Sequence, residues 1–144
     1  MQRGRRIAFD YGDVRIGVAV CDPDGIVCTP LPALKAQDEA LPDAIRNLLD
    51  EYLPIYLVVG EPRHLSGHES AKMDSVARFV ETLQIITDLP IRMVDERLST
   101  VSASVKLRSA GKDSRSSKEF IDSAAAAEIL MAAVDQDRLE DRPL

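Results

Sequence analysis

The chain has 144 residues, of which 45% are apolar and 29% charged, and its formal net charge is −6. These values predict one globular domain over residues 1–144 and exclude a two-lobed nucleotide-binding architecture. No window approaches the run of about eighteen apolar residues that a membrane span needs, and the basic start MQRGRRIAFD has no cleavage site. We therefore predict a cytoplasmic protein without a membrane segment. The negative charge argues against general affinity for nucleic acid.

The first part of the sequence predicts three antiparallel strands. Residues 5–11 and 14–21 are short runs rich in strand-forming residues and are separated by a Gly-Asp pair, in which Gly12 is expected to supply a positive φ. A DPDG turn at residues 22–25 then leads into a third strand, which we expect to end near Pro30.

Helices and strands alternate after these strands. Apolar residues at helical spacing predict a helix from Leu41 to Tyr52, with Pro42 tolerated in the first turn. The continuously apolar run 55–60 is typical of an interior strand that is covered on both faces. A second helix is expected from about Ser66, with a buried stripe made of Met73, Val76, Ala77, Val80 and Leu83.

The last part of the sequence predicts one more strand and two helices. The strand is IRMV, directly after Pro90. A helix should run from Ser99 or Thr100 to Gly111, and the last should begin at a capping box, Ser116 with Glu119. The acidic tail DQDRLED is expected to be a solvated helix face. The order βββαβαβαα predicts an α/β fold with a mixed five-stranded sheet and helices on both faces.

Acidic residues follow the ends of the predicted parallel strands. Asp10 closes the first strand, Glu61 follows the fourth, and Asp95 with Glu96 follows the fifth. The small helical face that follows Asp122 should let the last helix approach the sheet near Asp10. Converging carboxylates repel one another, so a cation is needed to offset them. Oxygen ligands without His or Cys at ligand spacing suit Mg²⁺ or Mn²⁺, and two such ions support phosphodiester hydrolysis.

Four segments carry a family resemblance: DYGDVRIGVAV, VVGEPRHLSG, VDERLST and FIDSAAAAEIL. In order and spacing they resemble the motifs of the YqgF/RuvX family, whose fold is similar to ribonuclease H and the RuvC resolvase. The resemblance covers roughly residues 5–135. It implies a metal-dependent nuclease that processes the 5′ end of pre-16S rRNA in ribosome biogenesis. A Holliday junction resolvase acting on branched DNA and a non-catalytic RNA-binding protein are the alternatives.

The resemblance also implies the catalytic acids. Asp10 matches the family's acid of the first strand, Glu96 is our choice for the second acid, and Asp122 matches the acid of the closing helix. Asp95 is the rival as metal ligand, since neighbours on a strand point to opposite faces. One of this pair is expected to have a structural role, such as pairing Arg97. Glu61 replaces the family's usual leucine and is either an extra acid or an exposed loop residue.

Gly12 and a group of basic residues form the predicted substrate-binding set. Gly12 would let backbone approach a phosphate, and Arg15 and Arg97 could bind phosphate directly. The remaining members flank the segment GKDSRSS: Lys106, Lys112, Arg115 and Lys118. With no Trp, three Tyr and three Phe, the chain lacks a stacking platform for single strands, so structured RNA or branched DNA is the expected partner. The sequence leaves a monomer and a homodimer open.

Overall fold

The computed structural model of the chain describes residues 1–62, 69–98 and 114–141, without the side chains of residues 69, 70, 98 and 114–122. Its centre is a five-stranded sheet. The strands are β1 (Arg6–Asp10), β2 (Arg15–Cys21), β3 (Cys28–Lys35), β4 (Tyr56–Glu61) and β5 (Ile91–Asp95). Their order across the sheet is β3-β2-β1-β4-β5.

The sheet is mixed because its connections differ in length. Short turns join β1 to β2 and β2 to β3, and both pairs are antiparallel. Two helices, α1 (Leu41–Tyr52) and α2 (Glu69–Ile86), intervene before β4 and β5, which run parallel to β1. The ends of β1, β4 and β5 therefore lie together at one edge of the sheet, which we call the carboxyl edge. The starts of these strands define the opposite, amino edge.

Helix α1 follows its sequence pattern closely. Pro42 lies in its first turn, where its missing N–H costs no helical hydrogen bond. Ile45 on its inner face is fully buried. The helix ends at Leu53, which has a left-handed φ of 48° and donates its N–H to the Leu49 carbonyl at 2.9 Å. This left-handed cap turns the chain toward β4.

The two faces of the sheet carry separate apolar cores. Helices α1 and α2 cover one face, where Phe9 packs edge-on against Phe79 with ring centroids 5.6 Å apart. The long helix α3 (Ser114–Glu140) covers the other face through small and aliphatic residues such as Ala126 and Ile129. Each large side chain that is fully buried contributes about 1.5–3 kcal/mol to stability. The predicted α/β fold, with five strands and helices on both faces, is confirmed.

The carboxyl-terminal part of α3 is fixed to the amino edge by a charged network. Asp137 is only 12% exposed and pairs with the Arg92 guanidinium and, at 3.6 Å, with Arg6 Nη2. The Tyr56 hydroxyl donates to the same carboxylate, and both guanidinium groups lie over the Tyr56 ring. Burial raises the pKa of Tyr56 to about 12, so its hydroxyl remains a donor at neutral pH. The prediction that the acidic tail is only a solvated face is therefore wrong at Asp137.

Three element boundaries or faces also differ from prediction. Strand β3 continues past Pro30 to Lys35, because it is an edge strand and a proline there need not donate to a neighbour. Met73 and Ala77 are exposed on α2, whereas Phe79 is buried instead. Helix α3 begins at Ser114, two residues before the predicted start at Ser116.

Some predictions fall outside the described residues. These are the capping serine Ser66 and the whole predicted helix from Ser99 or Thr100 to Gly111.

Candidate functional site

Asp10 occupies the carboxyl edge at the end of the strand β1. The three residues before it, Ile7 to Phe9, are fully buried, whereas Asp10 is half-buried. Side chains alternate along a strand, so Asp10 shares the α3 face of the sheet with Ala8. Because Phe9 pairs with Val59 in the parallel register, the next residues, Asp10 and Gly60, lie side by side.

Glu96 lies over Gly60 from the neighbouring strand. Gly60 pairs with Val94 of β5, and after Asp95 the chain turns into a single 3₁₀ turn, Glu96–Leu98. This turn brings the Glu96 side chain back across the bare Gly60: a Cβ built there would be 3.0 Å from Glu96 Cγ and 3.2 Å from Oε1. The carboxylates of Asp10 and Glu96 thus flank Gly60 on the face covered by α3.

The environment of the Glu96 carboxylate is unusual for an acid. Its side chain is only 12% exposed. Oε2 lies 3.6 Å from the ammonium of Lys72 on α2, while Oε1 is buried and has no hydrogen-bond partner among the described atoms. A buried carboxylate oxygen without a donor costs free energy unless a ligand completes it. The Lys72 contact was not predicted from the sequence.

Asp95 makes a different set of contacts. Arg97 donates from its Nε to both oxygens of Asp95, at 3.1 and 3.0 Å, and from Nη2 at 2.6 Å. The backbone N–H of Arg97 also donates to Asp95 Oδ1 at 2.9 Å. The hydrogen bonds that Arg97 donates to the Asp95 carboxylate raise the pKa of Arg97. Both oxygens of Asp95 therefore accept from Arg97, whereas Glu96 keeps one oxygen without a donor.

Asp122 lies on α3 one turn before Ala126, which packs in the same core as Ala8. Its side chain is outside the described set. The next residue, Ser123, is fully buried and accepts a hydrogen bond at 3.1 Å from the N–H of Val18. A register irregularity between Ile16 and Val18 accompanies this bond. Ser123, which sequence reasoning missed, thus fixes the helix over β2 close to the strand pair that contains Asp10.

Glu61 lies on the opposite face of the sheet. Strand alternation separates it from Gly60, and it lines a small cavity with Pro62, Met73 and Met93 on the α2 side. This position separates Glu61 from the face that holds Asp10 and Glu96.

Glycine is required at position 12 because the Arg15 backbone passes close to it, and not because its φ is positive. The only positive-φ glycine in the described ranges is Gly25, so the predicted φ of Gly12 is wrong. A Cβ at Gly12 would instead lie 2.6 Å from the Arg15 carbonyl oxygen. Arg15 begins β2 at the carboxyl edge and pairs across the strands with Lys35.

The rest of the predicted substrate-binding set cannot be placed by side chain. Lys106 and Lys112 lie outside the described residues. Arg115 and Lys118 lie on the first turns of α3, but their side chains are not among those described. Within the described part of the chain, no three His, Cys, Asp or Glu side chains group as metal ligands. No helix in these ranges is long and apolar enough to cross a membrane.

The strand order of the mixed five-stranded sheet defines a fold of the ribonuclease H class, which RuvC shares. The chain is similar in fold to the structure of T. thermophilus RuvC in complex with a Holliday junction substrate, with a TM-score of 0.63, 15% identity and coverage of 98% of this chain and 99% of that chain. It is also similar to the fowlpox virus Holliday junction resolvase, with a TM-score of 0.54, 10% identity and coverage of 92% and 99%.

Sequence comparison then gives the family. The model described as RuvX, Holliday junction resolvase, matches residues 4–136, and the chain belongs to this family. A protein of Streptomyces coelicolor named "Putative pre-16S rRNA nuclease" is 47% identical, over 99% of this chain and 87% of its own. A protein of Streptomyces avermitilis with the same name is 43% identical, over 99% and 92%. The chain is thus a nuclease, a hydrolase that acts on nucleic acid.

Proposed function

We propose that the chain is a divalent-metal-dependent nuclease that cleaves the precursor of 16S rRNA, at its 5′ end, during ribosome biogenesis. The observation that carries this proposal is the buried Glu96 carboxylate, held over Gly60 beside Asp10 with one oxygen lacking a donor. The substrate is taken from the names of the relatives that share most of their length with this chain.

The donor set fits a hard divalent cation. The absence of a side chain at Gly60 lets the Glu96 side chain pack across the strand, and the Glu96 Oε1 atom needs a positive partner. Carboxylate oxygens without nitrogen or sulfur ligands favour Mg²⁺ or Mn²⁺. We infer that Asp10, Glu96 and Asp122 hold the metal, and that the Arg97 pair keeps Asp95 in a positioning role. When bound, such ions stabilise the charge that develops on the phosphate and activate water.

The residues of the chain supply the geometry for this chemistry. The buried strand before Asp10 fixes its backbone, and the 3₁₀ turn fixes the direction of Glu96. The hydrogen bond from the Val18 N–H to Ser123 fixes α3 against β2, which limits movement of the neighbouring Asp122. We infer that Arg15 and Gly12 contact the nucleic-acid backbone at the same edge, together with Arg97, Lys106, Lys112, Arg115 and Lys118.

The test compares Asp10→Asn with the wild-type protein on precursor 16S rRNA in Mg²⁺, in Mn²⁺ and in EDTA. We expect cleavage by the wild type with either metal, none in EDTA, and at least about a 100-fold loss in the variant, because it removes a ligand. RNA binding and the melting temperature in EDTA should not fall, since the substitution also relieves repulsion between acids.

The matched control is Asp50→Asn, which removes an exposed carboxylate near the end of α1. It should cleave like the wild type. Undiminished cleavage by Asp10→Asn, or cleavage in EDTA, would overturn the proposal. A four-way DNA junction, assayed in parallel, tests the second candidate function, Holliday junction resolution, which the family description favours. If the chain cleaves the junction in preference to the RNA, the proposed substrate is wrong but the proposed site stands.

A further inference from the structure

Lys72 is a basic residue that contacts one of the candidate metal-binding acids, Glu96. It lies on α2, which covers the face opposite to α3, and its ammonium reaches Glu96 Oε2 at 3.6 Å. Its side chain is 46% exposed, whereas that of Glu96 is 12% exposed. The lysine therefore has more freedom to move than the acid.

We propose that Lys72 is a positioning residue that holds Glu96 before a divalent cation binds and releases this carboxylate to the cation. This inference rests on the proposed function, because it needs a metal at Glu96. Lys72 compensates the negative charge of Glu96, which is nearly buried beside Asp10. It cannot satisfy the Glu96 Oε1 atom as well, so the carboxylate stays available to a second cation.

A small cavity gives the released ammonium a place to go. Lys72 lines a cavity of about 250 Å³ at the carboxyl edge together with Tyr11, Gly12, Asp13 and Ser75. Asp13 is an exposed carboxylate that could receive the ammonium there. Because the cavity includes the β1–β2 turn, a lysine in it would also face a phosphate bound by Gly12.

The test measures Mn²⁺ affinity by calorimetry for the wild type and for Lys72→Met, which keeps helix propensity and most of the side-chain length. Lys72 competes with the ion for Glu96, so its loss should tighten Mn²⁺ binding by about three- to tenfold. The melting temperature in EDTA should fall, because Glu96 loses its counter-charge. Saturating Mn²⁺ should restore it toward the wild-type value.

Two controls separate this role from a general charge effect or a purely structural one. Lys72→Arg keeps the charge and should bind Mn²⁺ within about twofold of the wild type. Arg78→Met removes a cation from the exposed side of the same helix and should also change affinity by less than about twofold. A merely structural lysine would give Lys72→Met unchanged or weaker Mn²⁺ binding, and either result would overturn the inference.

The experiment also distinguishes the inference from the proposed function. If the wild type binds no Mn²⁺, or if Asp10→Asn binds it equally well, the metal site itself is wrong. If the wild type binds Mn²⁺ through Asp10 but Lys72→Met does not bind more tightly, only the role of Lys72 is wrong.

Discussion

Gly60 is the residue on which the geometry of the candidate site depends most directly. A Cβ at this position would lie 2.7 Å from Ile129 Cδ1 and 3.0 Å from Glu96 Cγ. Ile129 is fully buried and cannot move far, so the Glu96 side chain would have to shift. Displacing a catalytic group by about 1 Å can cost about 100-fold in rate.

Gly60→Ala should therefore lower metal-dependent cleavage by at least about tenfold and reduce stability by about 1–3 kcal/mol through overpacking. Cleavage rates and urea unfolding measure the two effects. Adding Ile129→Val removes the Cδ1 atom and should recover part of the lost stability, but not the activity. Recovery of both would show that Glu96 is not displaced and that Gly60 matters only for packing.

Helix α3 is the element that joins the two edges of the sheet. Ser123 fixes it near the carboxyl edge, and Asp137 fixes it at the amino edge. Arg6 is almost completely buried, at 1% exposure, and Asp137 supplies the counter-charge to its guanidinium. Removing one partner of a buried ion pair leaves an uncompensated charge, which is more costly than the net value of the pair.

Asp137→Ala should lower the free energy of unfolding by about 3 kcal/mol, as measured by urea denaturation at neutral pH. The control is Asp135→Ala, which removes a 62% exposed carboxylate that lies 3.5 Å from Arg138. Surface pairs of this kind contribute at most about 1 kcal/mol, so the control should change little. Equal effects of the two substitutions would mean that the Arg6 and Arg92 contacts add nothing to stability.

The elements were predictable where the pattern is local. The helix α1 and the interior strand β4 follow directly from the helical spacing around Ile45 and the apolar run before Gly60. The length of β3 was not predictable from a local pattern, because Pro30 would end a strand only if that strand had neighbours on both sides, and β3 is an edge strand. The buried side of α2 was predicted correctly at Val76 and Leu83, but Met73 and Ala77 are exposed and Phe79 was missed, because two overlapping helical stripes fit this sequence.

The site was only partly predictable for a related reason. The acids at strand ends are visible in the sequence, and the family motifs favour Glu96 over Asp95. The contact of Lys72 with Glu96 depends on how α2 packs, and the role of Gly60 depends on its register with Val94. Both are contacts between segments distant in sequence, for which spacing along the chain carries no signal. The Val18 to Ser123 hydrogen bond is of the same kind.

At the scale of the whole molecule, the net charge of −6 conflicts with a nucleic-acid substrate unless charge is segregated. The described part of the carboxyl edge carries cations contributed by separate elements: Arg15, Lys35, Lys72 and Arg97. Acids such as Glu140 and Asp141 lie at the amino edge. These four cations lie beside the candidate acids at the edge where the substrate would bind, and the amino edge carries cations of its own, Arg6 and Arg92.

Lys35 offers a test of whether the cations of the carboxyl edge bind the substrate. It lies directly opposite Arg15 in the antiparallel pair, and both line a groove of about 560 Å³ with Gln37 and Asp38. Arg15 and Lys35 would give a phosphate of the nucleic-acid backbone two positive side chains to contact in this groove. Each phosphate contact contributes about 0.7–0.9 to the slope of log affinity against log salt.

Lys35→Ala should therefore reduce that slope by nearly one and weaken the binding of RNA and of a four-way junction alike, because a backbone contact reads no sequence. Binding is measured in EDTA over a series of salt concentrations, so that the salt dependence of affinity is obtained without cleavage of the substrate. Arg3→Ala makes the same charge change at a 72% exposed side chain whose partner is Asp24, near the amino edge. If the two substitutions change the slope equally, binding responds to total charge, and the carboxyl edge has no privileged role.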